Sequence, residues 1–184
     1  MRLIRRSKRG TLAVLIMVVI VSIFAGLPWL IASNDARRPP SAEVLTRLDL
    51  PPSIGLSSLK EVRIDEVIDG DTIAVFLDGI RTTVRYYGVD TPERNERCYR
   101  EAVDRNEHLA GARVLLLPDA RELDPGGRTL RYVFTPEGIS IDATLVAEGF
   151  GNAWRADGRY RDRLAGLESE AEEAQRGCLW KPGS

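Results

Sequence analysis

An uncharged apolar run near the N-terminus limits what the rest of this chain can fold into. Residues 11–33 carry no charged side chain over 23 positions, and a helix needs about 20 apolar residues to cross the hydrocarbon core of a bilayer. The preceding residues 1–10 hold five Lys or Arg and no acid, so the positive-inside rule predicts that the N-terminus stays in the cytoplasm. We therefore expect a single-pass transmembrane anchor, with the folded domain outside the cytoplasm.

A cleaved signal peptide is the alternative interpretation of the same run. The apolar region of a signal peptide is usually shorter, and residues 31–33 (IAS) only weakly resemble the small-x-small pattern of a cleavage site. Both interpretations export the domain. The protein is expected at the cell membrane, or secreted if the segment is removed.

Residues 34–59 contain two Pro-Pro pairs and little periodicity, which indicates a linker. Residues 60–181 remain for one folded domain. Without the five basic residues of the N-terminal segment, the chain keeps 21 basic and 27 acidic residues. An acidic domain binds nucleic acid poorly without a local basic site, because non-specific affinity comes from neutralising phosphates.

The pattern within 60–181 predicts an α+β domain. An Asp78-Gly79 dipeptide between two segments rich in β-branched and aromatic residues is a strong signal for a two-residue hairpin. Five short strands and about three helices, without βαβ alternation, fit a five-stranded antiparallel β-barrel of the OB type. The helices are expected at residues 98–110, 141–148 and 160–176.

The hairpin brings acidic residues to one end of its two strands. Counting back from the turn places Thr72 opposite Arg85, so that Asp71 lies beside Arg85. Asp90 and Glu93 leave the second strand at the same end. Three carboxylates and one guanidinium are thus expected to converge. Oxygen ligands without nearby His or Cys suit a hard cation such as Ca²⁺ or Mg²⁺.

Several segments, in order, resemble the thermonuclease, or staphylococcal-nuclease-like, family. They are residues 68–72 (IDGDT), Arg85, and residues 89–93 (VDTPE), 124–128 (DPGGR), 145–150 (LVAEGF) and 177–180 (GCLW). The resemblance covers about residues 60–181, and the pieces at these distances are specific together although each is weak alone. It implies a calcium-dependent endonuclease that acts on DNA, RNA or both.

The resemblance also implies how a metal ion would be held. Asp71 and Asp90 would ligate Ca²⁺ through their carboxylates, and the backbone carbonyl of Thr91 would supply a third oxygen. No small-molecule cofactor is expected, and the protein is expected to act as a monomer. Its partners would be the nucleic-acid substrate and the membrane, through residues 11–33.

The resemblance assigns the catalytic roles to three side chains. Glu93 would act as general base on the attacking water. Arg85 and Arg128 would bind the phosphate and stabilise its growing charge, since the planar guanidinium matches phosphate oxygens in two-point contact. Cleavage of the 5′ P–O bond would leave 3′-phosphate ends.

Two tyrosines that commonly assist binding in the family are missing here. The matching positions are Gly126 and Arg155, and Arg155 could contact phosphate in place of one of them. Trp154 could stack on a base, although core packing is an equal alternative. Tyr86 and Tyr87 are expected to pack inside the barrel.

The two cysteines, Cys98 and Cys178, have two interpretations. Outside the cytoplasm a cysteine pair usually forms a disulfide, whereas two buried unpaired thiols are the alternative. In the family, the helix that begins near residue 98 packs against the C-terminal tail. This resemblance favours the disulfide.

Two non-enzymatic functions compete with the nuclease. Some barrels of this type bind nucleic acid or protein without cleaving, and a membrane-tethered interaction domain could use the same acids to hold structural calcium. The presence of Asp71, Arg85, Asp90, Glu93 and Arg128 together argues for the enzyme.

Overall fold

The computed structural model describes residues 48–49 and 54–181. The predicted cytoplasmic segment 1–10 and anchor 11–33 lie outside the described residues, as does most of the predicted linker 34–59. Within the described part, no helix combines the length and the apolar character that a bilayer span needs. Residues 48–49, in the middle of the predicted linker, contact the domain, because Leu48 is buried and the Asp49 carbonyl accepts a 2.9 Å hydrogen bond from the Tyr160 hydroxyl.

Five strands close into a barrel in the order β1-β2-β3-β6-β5. They are β1 (Lys60–Val67), β2 (Thr72–Leu77), β3 (Ile80–Tyr86), β5 (Arg113–Leu117) and β6 (Thr129–Phe134). Their inward side chains form a continuous apolar core. The prediction of a five-stranded barrel is confirmed. The buried aromatic rings of Tyr86 and Tyr87 agree with the expectation that both pack inside.

The β2–β3 hairpin has the predicted register. Asp78 and Gly79 both adopt positive φ, 52° and 83°, as the two central residues of a tight hairpin turn require. Leu77 then pairs with Ile80, and Thr72 with Arg85. Asp71 therefore lies beside Arg85 at the far end of the hairpin.

One strand pair differs from the predicted antiparallel barrel. β3 and β6 run parallel, with Val84 paired to Thr129 and Tyr86 to Arg131. Between these two strands the chain crosses the barrel through a helix and through β5, which pairs antiparallel with both β1 and β6. The crossover connection makes β6 enter the sheet in the same direction as β3, which a short hairpin cannot do.

The helices lie close to the predicted positions. They are α1 (Tyr99–Ala110), α2 (Ile141–Ala147), α3 (Arg161–Glu173) and the short C-terminal α4 (Gly177–Trp180). A small second sheet was not predicted. It joins β4 (Val89–Asp90) to β7 (Asn152–Ala153), and strands of two residues are too short to leave a periodic signal.

A buried carboxylate fixes the chain between β3 and β4. Asp142, in the first turn of α2, accepts hydrogen bonds from the Gly88 N–H at 2.8 Å and from the Val133 N–H at 2.9 Å. Burial raises the pKa of this carboxyl to about 6, although the backbone donors act in the opposite direction. The link holds β4, and with it Asp90, at a fixed position beside the barrel.

Candidate active site

A cleft of about 170 Å³ opens at the end of the barrel where β3 and β4 meet. It contains five of the residues that the sequence singled out, each from a different strand or loop. These are Arg85, Asp90, Glu93, Arg128 and Trp154. Segments that are distant in the sequence therefore meet at one place.

Asp71 lies behind the cleft and is only 5 % exposed. Its Oδ2 accepts hydrogen bonds from the Thr91 N–H at 2.7 Å and the Thr91 hydroxyl at 2.9 Å. Its Oδ1 lies 3.0 Å from Arg85 Nε. Burial raises the pKa of Asp71 to about 6, against the opposing effects of Arg85 and Thr91. These contacts join the loop before β2 to the loop after β4.

This junction explains the glycine that precedes Asp71. A Cβ atom on Gly70 would lie 2.5 Å from Thr91 Oγ1 and 2.9 Å from the Ala102 Cβ. Contacts that short do not occur, so only glycine lets the two loops approach this closely.

Arg85 is held from four sides and its side chain is only 11 % exposed. Besides its contact with Asp71, its Nη1 donates to the Tyr86 and Val89 carbonyls at 2.7 and 2.5 Å. Its Nη2 donates to Asp90 Oδ1 at 2.7 Å. The guanidinium therefore has a fixed orientation, with part of Nη2 left to face the cleft.

The acids of the cleft have two different environments. Asp71 and Asp90 both contact the Arg85 guanidinium, whereas the exposed Glu93 carboxylate has no partner among residues 48–49 and 54–181. The backbone N–H of Glu93 is fixed by Glu96 Oε2 at 2.8 Å. The predicted convergence at Arg85 is therefore found for two carboxylates, with Glu93 on another part of the same cleft wall.

The donor set suits a hard cation in type. Within the described part of the chain, no group of three or more acids, His or Cys is arranged to hold a metal ion. Asp71 and Asp90, which both contact Arg85, nonetheless offer only oxygen. Calcium is bound by carboxylate and carbonyl oxygens together with water, and magnesium at phosphate-processing sites by one or two carboxylates with water and substrate phosphate oxygens. The residues present fit such an ion.

Arg128 reaches the cleft from the loop before β6. Asp124 accepts from its backbone N–H at 2.8 Å and from its Nε at 2.5 Å. This clamp orients the guanidinium, and both Nη groups remain without a partner among the described residues. The side chain is 43 % exposed and can receive a phosphate oxygen.

Trp154 and Arg155 are adjacent in sequence but have different environments. Trp154 lines the cleft, and its Nε1 donates to Asp157 Oδ1 at 2.7 Å. Arg155 is not among the cleft-lining residues, and its Nη2 instead contacts Glu168 on α3. The structure therefore brings only Trp154 to the predicted site.

Sequence reasoning missed Arg121, which lines the cleft, and Asp157, which pairs with it. Arg121 lines the cleft and forms a two-point ion pair with Asp157 at 2.9 Å for both contacts. These residues lie in separate loops, 36 positions apart, and neither belongs to a periodic segment or a recognisable motif. No local signal in the sequence could have paired them.

The two cysteines, 80 positions apart, meet in the folded domain. Cys98 and Cys178 form a disulfide with a Cα–Cα distance of 5.7 Å. The bond joins the residue before α1 to α4, so that the C-terminal helix is fixed to the segment that follows Glu93.

Comparisons with known proteins agree with this arrangement. A family model described as staphylococcal nuclease homologue matches residues 83–182. The chain is 34% identical over 139 residues to the thermonuclease of Staphylococcus hyicus, covering 70% of this chain and 81% of that protein. It is 34% identical over 148 residues to endonuclease YncB of Bacillus subtilis (strain 168), covering 72% and 68%. It is 30% identical over 123 residues to the micrococcal nuclease of Shigella flexneri, covering 62% and 70%. Because the family model matches more than half of the chain, the protein belongs to the staphylococcal nuclease family.

Proposed function

We propose that the protein is a calcium-dependent endonuclease that hydrolyses phosphodiester bonds of DNA, RNA or both and leaves 3′-phosphate ends. Its family supports a nuclease, and the cleft supports the finer assignment. The observation that carries it is the meeting of Glu93, whose carboxylate has no partner in the described part of the chain, with two oriented guanidinium groups, Arg85 and Arg128, in a single small cleft.

Glu93 is the general base. Its carboxylate is exposed and unpaired among the described residues, and its backbone is fixed by Glu96. It accepts a proton from the attacking water as the water oxygen bonds to phosphorus. The bond from phosphorus to the 5′ oxygen breaks, and that oxygen takes a proton from solvent. A positioned general base typically accelerates such a step by about 10²–10⁴-fold.

The two arginines have complementary roles. Arg128 offers both Nη groups to the phosphate because Asp124 occupies only its Nε. Arg85 offers the remaining part of Nη2 and is fixed by its contacts. Donors that are oriented before the substrate arrives stabilise transition-state charge without the cost of reorganisation.

The charge of the cleft supports a role for a divalent cation. Three arginines face five carboxylates at the cleft and directly behind it: Arg85, Arg121 and Arg128 against Asp71, Asp90, Glu93, Asp124 and Asp157. A phosphodiester would enter a region of net negative charge. Asp71, Asp90 and the Thr91 carbonyl would hold Ca²⁺, which when bound neutralises a non-bridging phosphate oxygen.

We also propose that the nuclease domain lies outside the cytoplasm, anchored by residues 11–33. The basic flank of the uncharged run supports this orientation. The disulfide between Cys98 and Cys178 supports an oxidising compartment. Protease added to intact cells should digest the domain and spare the N-terminal ten residues. Survival of the domain under conditions that digest a known surface protein would refute the topology.

A cleavage assay tests the catalytic proposal. Full-length protein in detergent is incubated with plasmid DNA and with RNA, in calcium or in a chelator, and the product ends are identified by mass spectrometry. Cleavage should require calcium and fall by about 10²–10⁴-fold in Glu93→Gln. Glu107→Gln, an exposed change on α1, is the matched control and should cleave normally.

Three results would contradict the proposal in different ways. Unchanged cleavage by Glu93→Gln would refute the assigned base. Full activity in chelator would refute the metal requirement. Binding of nucleic acid without any cleavage would establish a binding module instead of an enzyme.

A further inference from the structure

Asn106 is a fully buried amide in the middle of α1 that the proposed chemistry does not use. It lies on the buried face of the helix between Ala102 and Ala110, and none of the three is more than 1 % exposed. Asn is a weaker helix former than Ala, and a buried amide costs free energy unless its hydrogen bonds are made. Helix formation and apolar packing therefore do not account for this residue.

Both ends of the Asn106 amide are paired, and the partners fix its orientation. Its Nδ2 donates to the Asp69 carbonyl at 2.9 Å, and its Oδ1 accepts from the Tyr86 hydroxyl at 2.8 Å. A carbonyl oxygen can only accept, so the NH2 group must face Asp69. The Tyr86 hydroxyl is left to donate, and burial raises its pKa well above the ordinary value, which keeps the proton in place.

Asp69 belongs to the Asp71 loop, defined as residues 68–71 between β1 and β2, which carries the proposed calcium ligand Asp71. Within this loop, Asp69 Oδ1 accepts from the Asp71 N–H at 3.0 Å. The backbone N–H of Tyr86 donates to the Asp71 carbonyl at 2.8 Å. Two carbonyls of the loop are therefore held from outside it, that of Asp69 by α1 and that of Asp71 by β3.

Helix α1 meets the Asp71 loop at a second point, one turn before Asn106. A Cβ atom on Gly70 would lie 2.9 Å from the Cβ of Ala102, so the loop backbone lies directly on the helix. Residues four positions apart lie on the same face of a helix, and Ala102 and Asn106 therefore form one contact surface. The alanine limits how closely the loop approaches, and the directional hydrogen bond of the amide fixes its position along the helix.

We propose that Asn106 is a positioning residue for calcium, which fixes the Asp71 loop through the Asp69 carbonyl and so aims the Asp71 carboxylate. The proposal rests on the calcium-dependent nuclease function proposed above and adds a residue that does not line the cleft. The Asp71 carboxylate itself contacts Arg85 and Thr91, whereas Asn106 acts on the backbone of the loop. Groups that orient metal ligands from behind typically contribute about 10- to 100-fold to metal affinity or activity.

Calcium binding is the first measurement. Full-length protein in detergent is titrated with calcium alone in a calorimeter, without substrate. Asn106→Leu keeps the approximate volume of the side chain and removes both hydrogen bonds, so it should bind calcium about 10- to 100-fold more weakly. Tyr86→Phe leaves the bond to Asp69 in place and should bind calcium more tightly than Asn106→Leu does.

A double variant separates positioning from stability. Tyr86→Phe/Asn106→Leu replaces both partners of one buried hydrogen bond by apolar groups of similar shape, which costs little stability. Its urea midpoint should return towards that of the wild type, while its calcium affinity stays as low as in Asn106→Leu. Thr144→Val is the matched control, because it removes a buried 2.7 Å hydrogen bond to the Ser140 carbonyl on α2. It should lower the urea midpoint without changing calcium affinity.

Two further readouts follow the loop and the reaction. Amide exchange of residues 68–71, measured by mass spectrometry without calcium, should be faster in Asn106→Leu and unchanged in Thr144→Val. In the plasmid assay, Asn106→Leu should need about 10- to 100-fold more calcium for half-maximal cleavage and regain most of its rate at saturating calcium. Glu93→Gln should remain slow at every calcium concentration.

Wild-type calcium affinity in Asn106→Leu would overturn the proposal, as would an affinity that returns together with stability in the double variant. The two proposals can fail separately. If the wild type binds calcium without cleaving and Asn106→Leu binds it more weakly, the positioning role stands and the catalytic assignment fails. If cleavage requires calcium but Asn106→Leu changes neither affinity nor loop exchange, the catalytic assignment stands and the positioning role fails. A wild type that binds no calcium would refute both.

Discussion

The disulfide makes a quantitative prediction about stability. Cys98 and Cys178 are separated by 80 positions, so their bond closes most of the domain into one loop. In the chain-entropy model, a loop of this length lowers the entropy of the unfolded chain enough to stabilise the fold by about 4.5 kcal/mol. A domain of this size is typically stable by only about 5–15 kcal/mol. Replacing both residues with serine should therefore remove a large fraction of the stability.

Urea denaturation followed by tryptophan fluorescence measures this loss. With a slope near 2 kcal/mol per molar urea, the midpoint should fall by about 2 M in Cys98→Ser/Cys178→Ser. Reductant should shift the wild type by a similar amount and leave the double variant unchanged. The C-terminal helix also has a backbone hydrogen bond, from Leu179 N–H to the Gly149 carbonyl at 3.2 Å, so the reduced barrel should still fold at low denaturant.

Coincident unfolding curves for the wild type and the double variant would refute this reasoning. So would two freely alkylated thiols in unreduced protein, because the bond would then not form. A shift seen with reductant in the double variant would show that the reagent acts elsewhere.

Three further predictions follow from other parts of the structure. Because the pKa of Asp142 is about 6, above the ordinary value for an unfolded chain, its contribution to stability is greatest at low pH. This contribution should fall by about 2.5 kcal/mol as pH rises from 4 to 7. Urea titrations should show the pH-dependent component missing in Asp142→Asn. Gly70→Ala places a Cβ 2.5 Å from the Thr91 side-chain oxygen. It should lower the free energy of unfolding by about 1–3 kcal/mol and weaken calcium binding measured by calorimetry. Gly166→Ala, with open space around its Cβ position, should have neither effect. Arg128→Lys should lower kcat about 100-fold in the plasmid assay, with Arg81→Lys as a neutral control.

The pairing of Asp71 with Arg85 could be predicted from sequence because it depends on the register of one hairpin. A two-residue turn fixes which residues of the two strands face each other, so the position of Asp71 beside Arg85 followed from counting. The pairing of Thr72 with Arg85 in the structure confirms this count. Local rules were sufficient here because every partner lies within one supersecondary unit.

The contact between Arg121 and Asp157 could not be predicted because it depends on loops that meet only in the folded domain. Arg121 and Asp157 have neither periodicity nor motif to connect them, and their partners are set by how the loop before β6 and the loop after β7 lie on the barrel. The parallel pairing of β3 with β6 was missed for the same reason. Strand patterns indicate which residues face inward, but they do not give the direction in which a strand enters after a crossover.

The carboxylates around the cleft raise the question of how its arginines act. They could attract the phosphate by their positive charge, or they could hold hydrogen-bond donors in fixed positions around it. Asp124 lowers the net charge near the phosphate, but its two hydrogen bonds also fix the backbone and Nε of Arg128. If attraction dominates, Asp124→Asn should tighten substrate binding and maintain the rate, because it removes a negative charge. If orientation dominates, the same variant should lower kcat by about tenfold or more with little change in KM, since a misplaced donor loses transition-state stabilisation.

We expect the second result, because the structure pairs every arginine of the cleft with a carboxylate and so favours fixed geometry over net positive charge. Faster cleavage by Asp124→Asn would refute this view.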